Sequence, residues 1–255
     1  MSKYHEANRK GWDAVSPGWQ AKVERNKDWS SAPHKPENFL NPIEMKFLAG
    51  ISGKEACVLG SGDNLIVFAL CGLGARVTSV DISQTQLDIA ADRAGQLGLE
   101  IEFHRLDVTN LASILDETFD LIYTGGHVAV WVDDLKKYYA EAARILRPGG
   151  LFLINECHPF RRPWKEIPER LELEFNYYDR GPAQYDRSED VPDAEPGSLP
   201  SYEFRWTVSD FVQAVLEAGC ELICFEEFGD KQPDWTVTPL AGLPGSLILV
   251  GKKRS

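Results

Sequence analysis

Residues 55–83 read EACVLGSGDNLIVFALCGLGARVTSVDIS, and the order of their apolar and glycine-rich segments decides the fold. The apolar run 56–59 is long enough for a buried strand, and the turn GSGDN after it is too rich in glycine for regular structure. Residues 65–73 are predicted to form an apolar helix, and residues 76–80 a second, β-branched strand. Strand, glycine turn, helix and strand in this order form half of a doubly wound α/β fold.

The glycine turn and the acid after the second strand have the chemistry of a nucleotide site. Gly60 and Gly62 can adopt backbone angles that a side chain would forbid, and they let a ligand approach the main chain. The following helix offers unpaired N–H groups and a partial positive charge at its N-terminus. Asp81 ends the second strand, where its carboxylate can accept two hydrogen bonds from a ribose diol. The alternative is an ordinary strand–helix–strand unit with a tight turn.

The composition favours a single acidic domain of α/β type. The chain has 255 residues, 43% of them hydrophobic, and a formal net charge of −12. This charge opposes binding to nucleic acid or to an anionic membrane, because phosphate contacts need clustered lysine and arginine. The sequence shows no secretory signal and no membrane-spanning run, and its five scattered cysteines lack zinc-ligand spacing. We therefore expect a cytoplasmic protein with reduced cysteines and no metal site.

The sequence after the organising stretch predicts three more parallel strands. They lie at residues 101–106, 119–124 and 151–155, and helices alternate with them. Ligands bind at the carboxyl ends of such strands, where polar residues follow each one. These polar residues are Asp107 after the third strand, 124–127 after the fourth, and Glu156 and His158 after the fifth. An acid such as Asp107 can accept a hydrogen bond from the adenine amine, although a helix cap is an equally simple role.

The C-terminal part of the sequence predicts a helix and a closing hairpin. The apolar stripe within 211–216 indicates the helix, and the runs 221–225 and 247–250 indicate two strands. We expect one of these strands to be antiparallel to the rest of the sheet. Cys220 and Cys224 are expected on one face of their strand, because side chains alternate along a strand. An irregular loop, 229–244, is predicted between the two strands.

Two segments are predicted to embellish this single domain, which spans 1–255. The N-terminal arm, 1–41, carries spaced tryptophans, and Ser16-Pro17-Gly18 is predicted to divide it into two short helices. Trp19 either covers the ligand pocket as a lid or anchors the arm to the core. The insertion 158–205 is rich in proline and acids, with a candidate strand at 171–175, and its length is typical of a lid or substrate cap.

With these motifs, the chain resembles the class I S-adenosylmethionine-dependent methyltransferases of the small-molecule type. The matching motifs are VLGSGDN (58–64), VDIS (80–83), RLDVTNL (105–111), FDLIYTGGHVAVW (119–131) and LRPGGLFLINE (146–156). The resemblance implies a doubly wound, mostly parallel, seven-stranded Rossmann-like sheet with an antiparallel hairpin strand near the C-terminus, and the insertion after strand five lies outside it. It also implies S-adenosyl-L-methionine as the cofactor and a small organic molecule as the methyl acceptor.

The resemblance also implies which residues hold the cofactor. These are Gly60, Ser61, Gly62, Asn64, Asp81, Ile82, Asp107, Val108, Thr124 and Gly125, with Trp19 as a lid. Asp81 would bind the ribose hydroxyls and Asp107 the adenine amine. Two positions depart from the family pattern, since Val58 stands where an acid is common and Asn64 where a third glycine is common. The contact that this acid makes to the cofactor's amino group must therefore come from elsewhere, and Asp63, Asn64 or a water could supply it.

The chemistry leaves the catalytic residues open. Methyl transfer is an in-line displacement, which needs alignment and a dry site, and a general base only if the acceptor loses a proton. His127, Glu156 and His158 are the candidates for that base. One alternative function is a non-catalytic relative that only binds the cofactor. A less favoured one is an NAD-dependent oxidoreductase, which would have a glycine where Leu65 stands.

Overall fold

A twisted sheet of seven strands forms the centre of the computed structural model, which describes residues 1–26, 28–165, 167, 169–229 and 242–254. A separate two-stranded hairpin lies in the insertion. The strands of the described chain are β1 (Glu55–Leu59), β2 (Arg76–Asp81), β3 (Ile101–Arg105), β4 (Phe119–Gly125), β5 (Leu146–Cys157), β6 (Ala183–Asp186), β7 (Pro200–Glu203), β8 (Cys220–Gly229) and β9 (Pro244–Lys253).

The strand order of the large sheet is β3-β2-β1-β4-β5-β9-β8, which confirms the predicted doubly wound fold. β1 to β5 are parallel, and β9 is antiparallel to both of its neighbours. In the register of the sheet, Leu59 lies between Val80 of β2 and Thr124 of β4. The segments that follow β1, β2 and β4 therefore meet at one edge of the sheet.

Six α-helices within the described residues cover the sheet and its upper edge. They are α1 (Lys3–Asn26), α2 (Pro42–Leu48), α3 (Leu65–Gly72), α4 (Gln84–Leu97), α5 (Leu135–Ile145) and α6 (Val208–Glu217). Side-chain caps fix several of their starts; the Ser83 hydroxyl, for example, accepts the Gln86 N–H at 3.2 Å. None of the described helices has the length and apolar character needed to cross a bilayer.

Two apolar clusters form the core, one on each face of the sheet. On one face α5 and α6 pack against the strands. The fully buried rings of Tyr138, Tyr139 and Phe152 make edge-to-face contacts there. On the other face α3 contributes Phe68 and Leu70, which are completely buried. Burial of apolar surface stabilises the folded state by about 25 cal/mol per Å². The sheet stabilised in this way supports the segments that follow its strands.

The N-terminal arm differs from the prediction of two short helices, because α1 runs through Pro17 as one helix. A proline in a helix removes one backbone hydrogen bond. The Ser16 hydroxyl donates to the Trp12 carbonyl at this point, and Val15 and Gln20 are buried on either side. Packing along the whole buried face of α1 therefore outweighs the local cost of the proline.

The insertion and two strands also differ from the predictions. The insertion's paired strands are β6 and β7, whereas the predicted strand 171–175 makes only an isolated bridge from Leu173 to Trp164. β5 begins at Leu146 instead of 151, with a register shift opposite 119–121. The predicted loop 229–244 lies almost entirely outside the described residues.

A bulge changes the facing of side chains in β8. The register shifts between Leu222 and Cys224, so two residues there oppose one on β9. Cys220 consequently packs in the cluster beneath α6, while Cys224 packs in the cluster on the opposite face. The prediction that these two cysteines share one face is therefore wrong. All five cysteines are free thiols.

Candidate active site

A cavity of about 870 Å³ opens at the carboxyl ends of the parallel strands, where the sequence predicts the ligand site. Its floor consists of the glycine turn after β1 and of the segments that follow β2, β3 and β4. The buried face of α1 lies over it. Within the described residues, no group of three His, Cys, Asp or Glu side chains could hold a metal ion.

The glycine turn is held in a conformation that only glycine allows. Gly60 has a φ of +66°, and an added Cβ would lie 2.5 Å from a methyl group of Val128. The N–H groups of Gly60 and Ser61 both donate to the Val80 carbonyl, at 2.8 and 3.1 Å. Gly60 is therefore packed against Val128 where a larger residue would not fit, and Gly60, Ser61 and Gly62 all line the cavity.

Asn64 supports this turn from behind and does not line the cavity. It is buried, its side-chain amide donates to the Gly62 carbonyl at 2.8 Å, and its oxygen accepts the Ser79 hydroxyl at 3.1 Å. Its left-handed φ of 62° is one that asparagine tolerates better than most residues. Asn64, which stands where a third glycine is common in the family pattern, therefore stabilises the turn through these two side-chain hydrogen bonds.

Asp81 lies at the end of β2 with its carboxylate in the cavity lining. One oxygen accepts the Gly62 N–H at 3.0 Å and the other accepts the Ser83 N–H at 2.9 Å. Burial raises the pKa of Asp81, although these backbone hydrogen bonds oppose the shift. A carboxylate has about four acceptor positions, so two remain for a ligand diol. Ile82 follows it in the lining.

Asp107 lines the cavity beside Val108 and is held by a residue of α1. His5 Nδ1 lies 2.8 Å from Asp107 Oδ2, and Thr109 donates twice to the other oxygen. The Nε2 atom of His5 lies 3.0 Å from both the backbone nitrogen and the Oδ1 atom of Asp133, so each ring nitrogen faces an acidic residue. Burial raises the pKa of Asp107, but the contacts from His5 and Thr109 outweigh it and the pKa lies below its usual value.

The roof of the cavity comes from α1, whose lining residues the sequence predicts only in part. His5, Asn8, Trp12 and Trp19 line the cavity, and their spacing places them along one helix face. Trp19 is 39% exposed and makes an edge contact with Trp12. In the sequence, His5 and Asn8 stand at helical spacing with Trp12 and Trp19, and this spacing is the signal that would have identified them.

Of the three predicted bases, His127 and Glu156 line the cavity. His127 is exposed at a left-handed φ of 76°, just after the glycines that follow β4. Glu156 is buried and accepts the N–H groups of His127 and Ala129 at 2.9 and 3.1 Å. Burial raises the pKa of Glu156 to about 7, against the effect of these backbone hydrogen bonds. Glu156 therefore holds the turn that carries His127.

Two predicted residues are directed away from the cavity lining. His158 is buried, with Nε2 2.7 Å from Glu227 and Nδ1 accepting the Phe160 N–H at 3.1 Å. Thr124 is buried against the hydroxyl of Tyr138 at 2.5 Å, while Gly125 next to it does line the cavity. These contacts give His158 and Thr124 roles in the framework. Tyr123 and Asn155, two polar residues near the ends of β4 and β5 that the sequence motifs do not identify, line the cavity instead.

The central part of the chain resembles a known protein domain. The family model described as "Methyltransferase domain" matches residues 58–154. The ubiquinone biosynthesis O-methyltransferase of Nitrosococcus oceani is 30% identical over 142 residues, which cover 53% of this chain and 60% of that protein. The enzyme of the same name from Coxiella burnetii is 28% identical over 163 residues, covering 62% and 69%. The chain thus spans less than two thirds of the first of these relatives.

Solved structures share the fold at low sequence identity. An S-adenosylmethionine-dependent methyltransferase from Mesorhizobium loti has a TM-score of 0.60 at 23% identity, covering 84% of this chain and 99% of that one. One from Clostridium acetobutylicum has a TM-score of 0.59 at 14% identity, covering 91% and 95%. The residues that the family model matches begin in β1 and end in β5, and so include the glycine turn, Asp81 and Asp107. Residues 58–154 of this chain therefore match a methyltransferase domain, and the fold is one that S-adenosylmethionine-dependent methyltransferases share.

Proposed function

We propose that this protein transfers a methyl group from S-adenosyl-L-methionine to a small organic acceptor. The observation that carries the proposal is the contact between Asp81 and the glycine turn. One oxygen of Asp81 accepts the Gly62 N–H and the other accepts the Ser83 N–H. This pairing fits a ligand that joins a ribose to a narrow tail. When bound, the cofactor supplies an already activated methyl group.

The residues present fit the cofactor along the length of the cavity. Asp81 would hold the ribose hydroxyls with its remaining acceptor positions. Ile82 and Val108 supply apolar surface for the adenine ring, and Asp107 would accept a hydrogen bond from its amine. Gly60, Ser61 and Gly62 line the cavity where the tail would pass.

The acceptor is proposed to be small and partly aromatic or apolar. The cavity of about 870 Å³ is at the upper end of the usual range for small-molecule pockets, about 300–1,000 Å³, which leaves room for a second molecule beside the cofactor. Trp12, Trp19 and Trp131 lie in its lining. The relatives' name, ubiquinone biosynthesis O-methyltransferase, supports a small acceptor for this chain too, with an oxygen as the methylated atom.

Alignment and exclusion of water are the main tasks of the protein in this reaction. For an acceptor that must lose a proton, His127 is the proposed base, because it is exposed at the cavity and carried by a turn that Glu156 holds. Glu156 uses its carboxylate on two backbone N–H groups, and His158 lies outside the lining. The N-terminal arm, 1–41, acts as the lid, and the insertion 158–205 supports it.

Titration calorimetry tests the proposal directly. We expect S-adenosylmethionine and S-adenosylhomocysteine to bind with a dissociation constant on the order of micromolar, and NAD not to bind. Asp81→Asn should weaken binding of both sulfur ligands at least about tenfold, since a charged acceptor is lost. Asp92→Asn, on the exposed side of α4, is the matched control and should bind normally. Tight binding of NAD without binding of the sulfur ligands would overturn the proposal.

A turnover assay separates catalysis from binding alone. Hydroxylated aromatic compounds and quinol analogues are the first acceptors to offer with S-adenosylmethionine, with release of S-adenosylhomocysteine as the signal. His127→Ala should lower kcat on an acceptor that must lose a proton and leave calorimetric cofactor affinity unchanged. An unchanged kcat in that variant would remove His127 from the role of base.

A further inference from the structure

Glu44 is a buried carboxylate that adjoins the cavity without lining it. It lies in α2 and is 1% exposed. Its Oε2 atom accepts the Asn41 N–H at 2.7 Å, which completes a capping box. Its Oε1 atom accepts two side-chain donors from the sheet, the Tyr123 hydroxyl at 2.7 Å and the Asn155 amide at 2.9 Å. Glu44 therefore connects α2 to the ends of β4 and β5.

The charge of Glu44 has no cation opposite it within the described part of the chain. No lysine, arginine or histidine there lies within 4.0 Å of its carboxylate. Buried carboxylates are rare and are usually paired with a positive charge, because removal of an ion from water is costly. Three hydrogen bonds stabilise the carboxylate, but no positively charged side chain of the described residues lies close enough to neutralise it.

The two side chains that Glu44 holds do line the cavity. Tyr123 gives its only proton to Glu44, so the hydroxyl oxygen can act only as an acceptor toward a ligand. Burial, followed by the charge of Glu44, raises the pKa of Tyr123, so the phenol keeps the proton that it donates. Asn155 turns its NH₂ group toward Glu44, which leaves its carbonyl oxygen as the acceptor for a ligand.

This acceptor pair lies beside the glycine turn. Tyr123 is the register partner of Val58 in β1, and Val58 is the apolar residue two positions before Gly60. Val58 lines the cavity as well, and it offers a ligand no charge. A buried carboxylate behind two acceptor groups suits a primary ammonium group, since such a group only donates.

We propose that Glu44, acting through Tyr123 and Asn155, forms the subsite for the primary ammonium group of the cofactor's methionine tail. This inference rests on the proposed function and adds to it the group that neutralises the tail's positive charge. Glu44 is a positioning residue here, because it touches the two side chains that touch the ligand. Its charge compensates for the apolar residue at position 58.

Two ligands that differ only in the tail provide the test. S-adenosylhomocysteine carries the ammonium and carboxylate groups, whereas 5′-methylthioadenosine lacks both. By calorimetry on the full chain, Glu44→Gln should weaken S-adenosylhomocysteine binding about tenfold and leave methylthioadenosine binding unchanged. The direction identifies the group, since loss of a negative charge weakens an ammonium contact and strengthens a carboxylate contact. Tyr123→Phe should show the same selectivity with a smaller loss.

Asp63→Asn tests the competing assignment, because Asp63 is the carboxylate in the lining nearest in sequence to Gly62, and its Oδ1 atom accepts the Leu65 N–H at 3.2 Å. It should leave the ratio of the two affinities unchanged. An unchanged ratio in both Glu44→Gln and Tyr123→Phe would overturn the inference, as would an equal loss for both ligands. A tail-specific loss in Asp63→Asn instead would assign the ammonium to Asp63. Failure of both ligands to bind the unaltered protein would overturn the proposed function itself.

Discussion

The Nδ1 atom of His5 lies 2.8 Å from the Oδ2 atom of Asp107, which ties the first turn of α1 to the acid that follows β3. Both residues are almost fully buried, at 2% and 7% exposure. The contact orients the carboxylate of Asp107 and closes α1 over the cavity at the same time. A change in either residue should therefore affect both the position of α1 over the cavity and the binding of the adenine ring.

His5→Ala should weaken recognition of the adenine amine specifically. We expect its dissociation constant for S-adenosylhomocysteine to rise about tenfold, because a buried acceptor loses its oriented partner. Affinity for S-inosylhomocysteine, which has a carbonyl in place of the amine, should change much less. His104→Ala, at an exposed position of β3, is the control. An equal loss for both ligands would show that His5 only stabilises the fold.

Two glycines of α1 should respond oppositely to alanine. An added Cβ at Gly11 would lie 2.7 Å from the buried Ser201 hydroxyl of β7, whereas at Gly18 the nearest atom is 4.0 Å away. Gly18→Ala should raise the free energy of unfolding by about 0.5–1 kcal/mol, from helix propensity. Gly11→Ala should lower it by about 1–3 kcal/mol, because α1 must move away from β7. Urea unfolding measures both, and stabilisation by Gly11→Ala would contradict the close packing.

Pro17→Ala should stabilise the protein. Pro17 is exposed within α1 and cannot donate a hydrogen bond to the carbonyl four residues before it. Alanine restores that donor without loss of buried surface, so the free energy of unfolding should rise by about 1–3 kcal/mol. Pro36→Ala, at the start of a short 3₁₀ helix, gains no such bond and should be neutral or slightly destabilising. Thermal unfolding of the two variants distinguishes these effects, and a lower Tm for Pro17→Ala would refute the first.

Glu156 should make stability fall as pH rises. Its pKa is about 7 when folded and about 4.5 when exposed, so between these values only the unfolded chain loses the proton. The unfolded state is thereby favoured, by on the order of 3 kcal/mol over the full interval. Glu156→Gln removes this dependence, although it costs one hydrogen bond to the turn. Urea unfolding at pH 4.5 and 8 should show a smaller decrease for Glu156→Gln than for the exposed control Glu100→Gln.

The sheet could be predicted because its signals are local and repeated. The run 56–59, the turn GSGDN and Asp81 are consecutive parts of one strand–turn–helix–strand unit. The observed strand order β3-β2-β1-β4-β5-β9-β8 is the doubly wound order that this unit predicts. The bulge in β8 could not be predicted, because it depends on pairing with β9 and not on the alternation of side chains. The continuity of α1 through Pro17 likewise depends on packing that is distant in sequence.

The site could be predicted only where the backbone itself forms it. Gly60 and Asp81 have their functions through turn and strand geometry, which the sequence encodes locally. Asn64 and Thr124 are predicted to hold the cofactor, yet their side chains bond to Gly62 and Tyr138 instead of lining the cavity. The contacts of His5 with Asp107 and of Glu44 with Tyr123 join residues far apart in the chain, and no local pattern specifies them.

The position of β9 between β5 and β8 has a consequence for synthesis on the ribosome. β8 is made before β9, and it has no partner in the sheet until residues 244–253 have emerged. Until then β5 presents an unpaired edge with apolar residues such as Leu153 and Ile154, which β9 later covers. Such an open edge favours intermolecular pairing. The nascent chain is therefore most prone to aggregation, and most in need of a chaperone, in the interval between completion of β5 and emergence of β9.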